Sequence, residues 1–379
     1  MRRRRWLVAV VGLLVLGGVL LLWSVLAGQR VKIEAPHYAV PKDNAYDDYV
    51  AAAKSLVREQ EIGAWWQTDA RPMTGFGALL EANAAALSQW RAGLGKQCLL
   101  PEAPPLPRTR RDLAQFSASG EIRAGLRNLA RLAILSGRAR EARGEYGPAL
   151  QTYCDVIKFG QDLSRGGLLI DRLVGIAIQA MAHREVRECL AARQAQARDI
   201  EELIGRLGAL RADRVPLADT IAEEYVYSRQ TPLPMRMEES VAGAKRSWAE
   251  LIQRAKLPYY EAAKLQPVTG RGVMGKTMVP VLDKARAKEA QIQATDLATE
   301  LLAALELYRL RQGAYPESLD ALVPDYLPEM PLDPFAGKAF RYRRTDDNFR
   351  LYSVGQNMKD DGGVEPKPGK AGTGDLVFR

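Results

Sequence analysis

Eight residues at positions 270–277, GRGVMGKT, have the residue types of a phosphate-binding loop. In such a loop, backbone N–H groups between the two glycines bind phosphate oxygens and the lysine contacts the terminal phosphates. A functional loop also follows a buried β-strand. The preceding residues, YYEAAKLQPVT, lack the run of β-branched residues that forms such a strand. We interpret the motif as a chance match and expect no bound nucleotide.

Carboxylates of the kind used in acid–base catalysis occur at Asp171, Glu223 and Glu224. Two carboxylates perform this chemistry when their surroundings separate their pKa values. Glu223 and Glu224 are adjacent in the chain, so on a helix they project to different sides. We interpret them as solvated charges and predict that the protein is not an enzyme. A hydrolase built on these residues remains an alternative.

Histidine and cysteine offer little metal chemistry in this chain. The two histidines, His37 and His183, lie outside any HExxH spacing, and the three cysteines form no CxxC pair. Cys154 and Cys189 lie on apolar helical faces, which predicts buried free thiols. Outside the cytoplasm one disulfide could form, and Cys98 or another cysteine would then remain unpaired.

The net charge of +9 does not indicate nucleic-acid binding. Four of these positive charges come from the arginines at positions 2–5, which leaves 9 − 4 = +5 for the rest. The remaining lysines and arginines are interspersed with acidic residues, whereas a nucleic-acid surface needs a clustered basic stripe. We expect no nucleic-acid partner.

The segment at positions 6–27 has the length and composition of a transmembrane helix. Trp6 and Trp23 lie near its ends, where interfacial aromatic residues occur. The arginines before it predict that the N-terminus stays in the cytoplasm and that the bulk of the chain lies outside. A cleaved signal peptide ending at Ala27 is the alternative, and it places the bulk of the chain on the same side.

Helical segments dominate positions 28–280, because apolar residues recur there at intervals of three and four. LSGRAREARGEYGPALQTY at 135–153 resembles a tetratricopeptide hairpin, but no copy follows at the period of about 34 residues that a solenoid needs. We therefore expect a helical bundle. The segment 167–190 is apolar nearly all round, which predicts a helix at the centre of that bundle.

Four motifs follow in order near the C-terminus: ALELYRLRQGAYPESLDALV, YLPEMPLDPFAGKAFRYR, LYSVGQNMKDDGG and GDLVF. The first predicts a long helix that stops at Gly313, because Pro316 prevents its continuation, followed by a short helical turn. Alternating aromatic residues then predict a β-hairpin at 338–354 that turns at 345–348. Together the motifs resemble the C-terminal part of the type II secretion major pseudopilin family. This resemblance implies an α+β domain with a long helix and a small antiparallel sheet.

The N-terminal part departs from that family. The family's long helix continues directly into a membrane segment behind a short leader with a GFxxxE-type peptidase site. Here more than 250 residues separate positions 6–27 from the helix predicted to begin at 281, and no such site precedes the apolar segment. We expect a pseudopilin-like domain used as a compact C-terminal unit. A genuine pseudopilus subunit remains an alternative.

The resemblance also implies a calcium site in the C-terminal loop. Ca²⁺ takes roughly six to eight oxygen ligands, often carboxylates mixed with backbone carbonyls. Asn357 stands where the family usually has Asp, and Lys359 lies within the loop. The predicted ligands are Asn357, Asp360, Asp361 and Asp375, with Ser353 and Val354 as further hydroxyl or backbone candidates.

The sequence thus predicts a mainly α protein in five segments. These are a cytoplasmic basic tail (1–5), a transmembrane anchor (6–27), a juxtamembrane helical region (28–115), a helical domain (116–280) and a pseudopilin-like domain (281–379). We expect a single-pass protein of the bacterial inner membrane with its bulk in the periplasm. Its predicted role is structural, through protein partners in the cell envelope, and is linked to type II secretion-like assembly.

Overall fold

A computed structural model describes residues 32–67, 75–104, 110–230, 244–269, 272–367 and 372–379. Within these ranges the protein is mainly helical and has a small three-stranded antiparallel sheet near the C-terminus. None of the helices in these ranges is long and apolar enough to cross a membrane. The predicted anchor at 6–27 lies outside the described residues, so its membrane insertion stays a prediction.

The elements follow one another in this order. The first helices are α1 (Ala45–Lys54), α2 (Glu59–Gln67), α3 (Gly77–Ala82) and α4 (Ala84–Leu94). The middle of the chain forms α5 (Arg110–Ala142), α6 (Tyr146–Asp162), α7 (Leu169–Ala191), α8 (Ala197–Ala212) and α9 (Leu217–Ser228). Next come α10 (Ala244–Ala255), α11 (Tyr259–Ala262), α12 (Gly272–Gln312) and a 3₁₀ turn (Leu319–Leu322). The strands are β1 (Arg341–Thr345), β2 (Asn348–Ser353) and β3 (Leu376–Val377).

The helical hairpin predicted around residue 144 is present, with α5 ending at Ala142 and α6 beginning at Tyr146. However, α5 alone has 33 residues, close to the length of a complete two-helix tetratricopeptide repeat, about 34 residues. The hairpin therefore belongs to a bundle of unequal helices.

Two glycines bring α6 and α7 into very close contact. A Cβ atom added at Gly175 would lie 2.2 Å from the carbonyl oxygen of Gly160, closer than any side chain can approach. A residue without a side chain is therefore required at this crossing. The tight packing brings α7 against α6 on one side while α12 packs on another.

One continuous apolar core joins the helical region to the C-terminal domain. Tyr49 of α1, Leu135 of α5, Val186 of α7, Leu301 of α12 and Leu351 of β2 all belong to it, and all are completely buried. The long helix α12 makes this connection, because it packs against both α7 and α8. Folding of the C-terminal domain therefore shares apolar burial with the helical region.

The long helix begins earlier than the sequence predicts. It starts at Gly272, upstream of the expected start at residue 281, and includes Pro280 in its interior. Proline lacks the N–H that a helix interior uses, so one backbone hydrogen bond is lost there. Lys276, the lysine of the apparent phosphate-loop motif, lies within this helix and not in a loop between strand and helix.

The C-terminal elements agree with the predictions. Gly313 follows the last residue of α12 with φ +80°, and a 3₁₀ turn comes next. Strands β1 and β2 form the predicted antiparallel hairpin, in which Thr345 pairs with Asn348. Strand β3, from the motif GDLVF, pairs with β2. The small antiparallel sheet is confirmed.

The expectation that α7 is surrounded on all sides is only partly right. Ile178, His183 and Val186 are completely buried. Ala177 and Ala180 are exposed among the described residues. Periodicity reveals that a helix is apolar all round, but it cannot tell how many of its faces find a neighbour. One apolar face of α7 is left open.

The predicted burial of the cysteines is confirmed. Cys154 and Cys189 are completely buried, Cys98 is also buried, and none of the three forms a disulfide. Burial raises the pKa of the Cys154 thiol to about 12, so this thiol stays protonated at neutral pH. It acts as a small apolar side chain.

Candidate functional site

The C-terminal loop that holds the predicted ligands begins where β2 ends. Gly355 makes the turn with φ +67°, and a Cβ atom at this position would lie 2.7 Å from the carbonyl oxygen of Gly374. Both the backbone conformation and the close approach require glycine. The turn brings residues 357–363 alongside the segment that leads into β3.

Asp375 is the centre of this loop and is completely buried. Its carboxylate oxygens accept hydrogen bonds from the backbone N–H of Asp361, at 3.1 and 3.2 Å, and from that of Gly363, at 2.6 Å. The N–H of Asp375 in turn donates to the carbonyl of Val364 at 2.7 Å. Bonds from N–H groups to an ionised carboxylate are stronger than neutral ones. Asp375 therefore pins the loop to β3.

Asp360 lies on the exposed side of the loop. Its Oδ2 accepts from Nε of Arg341 at 2.7 Å, and its Oδ1 accepts from the Tyr352 hydroxyl at 2.9 Å and the Gly362 N–H at 3.1 Å. Hydrogen bonds from Gly362, Tyr352 and Arg341 lower the pKa of this carboxyl. Asp360 thus connects the loop to the two long strands.

The remaining predicted ligands bond to one another. Nδ2 of Asn357 donates to Oδ2 of Asp361 at 2.7 Å, and Oδ1 of Asn357 accepts from the N–H of Lys359 at 3.0 Å. The loop therefore brings Asn357, Asp361 and Asp375 together, while Asp360 turns towards Arg341.

The four predicted calcium ligands are engaged in hydrogen bonds in this arrangement. All four predicted ligands already accept hydrogen bonds from N–H or O–H groups, and such donors repel a cation. Over the described ranges, no group of three or more His, Cys, Asp or Glu side chains is placed to hold a metal. Calcium would have to displace several of these bonds, so its binding stays a prediction.

A further anchor, Asp333, was not among the predicted residues, although it is the aspartate of the PLDP motif. Its carboxylate accepts from the Phe335 N–H at 2.9 Å, the Ser353 hydroxyl at 2.8 Å and the Val354 N–H at 3.0 Å. Burial raises the pKa of this carboxyl, although the same three bonds oppose the shift. Ser353 and Val354, expected near calcium, therefore fasten the proline-rich segment to the end of β2.

Two of the three carboxylates considered for catalysis, Asp171 and Glu224, have structural partners. Oδ1 of Asp171 accepts from Nε of Arg123 at 2.7 Å, and its Oδ2 accepts from the Leu168 N–H at 3.0 Å at the start of α7. Glu224 accepts from the Leu169 N–H at 3.0 Å. Both cap the N-terminus of α7, where free N–H groups attract negative charge.

His183 belongs to a buried ionic cluster between α7 and α12. Its Nδ1 lies 3.1 Å from the Thr299 hydroxyl, and its Nε2 contacts the carboxylate of Asp296. Complete burial, together with the charges of Arg187 and Arg214, lowers the pKa of His183 well below its usual value. The imidazole is therefore neutral at neutral pH.

The same cluster holds the most deeply buried ion pairs between the helical region and the long helix. Nε of Arg172 donates to Oε2 of Glu289 at 2.9 Å, and Arg214 lies 3.5 Å from Oε1. Arg172 also donates to the Thr220 hydroxyl at 3.0 Å and to the Val215 carbonyl at 2.7 Å. Burial alone would raise the pKa of Glu289, but the two arginines lower it.

Comparison with known proteins agrees with the resemblance seen in the motifs. The sequence model of the family described as type II secretion system (T2SS), protein G matches residues 277–367, about a quarter of the chain. Searches of curated proteins and of solved structures gave no match. The C-terminal quarter, with its long helix and small sheet, is therefore similar to type II secretion system protein G.

Proposed function

We propose that this chain is a non-enzymatic protein of the cell envelope, anchored by its N-terminal segment. In this proposal the helical region and the pseudopilin-like domain form one rigid scaffold for protein partners in a type II secretion-like assembly. The family match at 277–367 supports the link to secretion. The shared core of the two regions supports the role as a scaffold.

Burial of the long helix is the observation that carries the proposal. A fibre subunit needs an apolar stripe of this helix free to pack against other copies. Here Ala294, Ala298, Leu301 and Leu305 are completely buried within the same chain. Releasing α12 for assembly would expose this stripe to water, at roughly 25 cal/mol for each Å². The geometry therefore favours a scaffold over a pseudopilus subunit.

One cavity favours the hydrolase alternative, but its chemistry does not. A cavity of about 690 Å³ lies between α1, α5 and residues 100–104, and it is lined in part by Tyr46, Arg123 and Asp171. The Asp171 carboxylate is already engaged by Arg123 and by the start of α7. This supports a non-enzymatic role.

Export measurements test the proposal. We expect that deleting the gene lowers the amount of type II-secreted protein in the culture medium and that the full chain restores it. We also expect the chain to stay with the membrane fraction when surface fibres are sheared off and pelleted. Unchanged export would contradict the secretion role. Recovery of the chain in the fibres, at the level of their main subunit, would show that it is a pseudopilus subunit.

A further inference from the structure

An apolar groove of about 550 Å³ runs between α7 and α12. On α7 it is lined by Ile176, Ala177 and Ala180, and on α12 by Val281, Ala285 and Ile292. Ile176 and Ala177 lie four and three residues before Ala180, and Val281 and Ile292 lie four and seven residues from Ala285, so each set occupies one face of its helix. The groove is thus the place where the open face of α7 continues onto the long helix.

Small side chains make this groove suitable for a third helix. Ala177 and Ala180 are exposed, and Val281 retains 41% of its accessible surface. This exposed apolar surface continues from α7 onto α12. Alanines in the lining allow another backbone to approach closely. An occupant following α12 from Val281 to Thr295 would cover about 21 Å, roughly four helical turns.

The charge around the groove is of one sign. Lys284 and Lys288 line it one turn apart on α12, and among its described lining residues there is no Asp or Glu. Both lysines are exposed. A partner that covers the apolar strip therefore gains from carboxylates beside its own apolar face.

Backbone hydrogen bonding decides which conformation of a partner segment fits the groove. An extended segment laid across this lining would leave its N–H and C=O groups over apolar side chains, which costs free energy. A helix satisfies these groups internally and presents apolar side chains at the same three- and four-residue spacing. From this we infer that the groove binds an amphipathic helix of a partner protein, with Asp or Glu residues facing Lys284 and Lys288. This inference rests on the proposed scaffold role and names the surface it uses.

Two synthetic helical peptides test this site on the full chain held in nanodiscs of neutral phospholipid. Both peptides have about 18 residues and the same leucine face, and they differ only in carrying Glu or Lys beside that face. Binding is followed by fluorescence anisotropy. We expect the Glu peptide to bind at least tenfold more tightly than the Lys peptide. The variant Lys284→Glu with Lys288→Glu should reverse this preference.

Two further double variants distinguish binding in the groove from attraction to the overall charge of the protein. Ala177→Gln with Ala180→Gln places neutral polar side chains in the groove at exposed positions, and should weaken both peptides at least tenfold. Lys256→Glu with Lys367→Glu makes the same charge change at exposed sites outside the groove, and should leave the preference for the Glu peptide intact.

Several results would overturn the inference. Two of them are equal binding of the two peptides and peptide binding that is unchanged in Ala177→Gln with Ala180→Gln. The third is self-association of the chain that the same double variant abolishes. The last result would assign the groove to a second copy. If groove variants that no longer bind peptide still support normal export, the groove is not the partner surface, and the scaffold role stands. Peptide binding as expected, with export unaffected by gene deletion, would reject the secretion role instead.

Discussion

Two regions of this molecule bury carboxylates and neutralise them in different ways. In the C-terminal domain, the oxygens of Asp333 and Asp375 accept hydrogen bonds mainly from backbone N–H groups. Between the packed helices, Glu185 of α7 and Glu289 of α12 are buried to a similar depth, and their oxygens accept from arginine side chains.

The difference follows from where each backbone uses its N–H groups. Inside a helix, these groups bond to the carbonyl four residues earlier, so a carboxylate packed against the interior of another helix must find a side-chain donor. Loops with glycine in left-handed conformations have free N–H groups that can surround an anion. The loop anchors of Asp333 and Asp375 reach residues up to 21 positions away, whereas the pair Arg172–Glu289 joins residues 117 positions apart. The arginine pairs hold distant elements in register.

Removing the charge of Glu289 is the strongest test of this comparison. In Glu289→Gln, Arg172 and Arg214 would stay buried without their shared counter-ion. Breaking a buried ion pair in this way typically costs about 3–5 kcal/mol. We expect a loss of this size in the free energy of unfolding, measured by urea denaturation followed by circular dichroism.

An exposed pair between α8 and α12 provides the control. Glu201 and Arg311 form an ion pair whose side chains are 47% and 44% exposed. Exposed pairs contribute at most about 1 kcal/mol, so Glu201→Gln should change stability little. Equal losses in the two variants would show that burial does not distinguish these pairs.

A smaller effect is expected in the loop. In Asp375→Asn, the N–H groups of Asp361 and Gly363 keep an acceptor but lose its charge. Bonds to charged groups contribute about 1.5–3 kcal/mol, and we expect a loss within this range. Melting temperatures of wild type and variant, taken in calcium and in chelator, measure it. A loss seen only in calcium would make Asp375 a metal ligand and not a backbone anchor.

How much of this was predictable depends on how local each feature is. The stop at Gly313, the 3₁₀ turn and the hairpin around Asp346 follow from residues a few positions apart, and the sequence predicted all of them. The same holds for the burial of Cys154 and Cys189, which lie on apolar helical faces. Short-range rules of turn chemistry and periodicity suffice for such features.

Features that depend on long-range contacts were missed. Nothing near Arg172 in the sequence indicates that it pairs with Glu289, and Asp333 appeared only as part of a motif. In the loop, the residue types of Asp360, Asp361 and Asp375 suggested metal ligands. Their partners, which are backbone N–H groups and Arg341, depend on how the chain folds back on itself.

The smallest predicted effect concerns pH and the cluster around His183. Burial lowers its pKa in the folded protein, so in the acid range below about 6.5 the unfolded chain binds a proton that the folded chain does not. Stability should therefore fall as pH is lowered from 7 to 5, by at most about 1.4 kcal/mol per pH unit from this residue. His183→Gln should flatten that slope in urea denaturation, whereas replacing the exposed His37 should not. An unchanged slope in His183→Gln would show that this buried imidazole is not the source of the acid sensitivity of the ionic cluster.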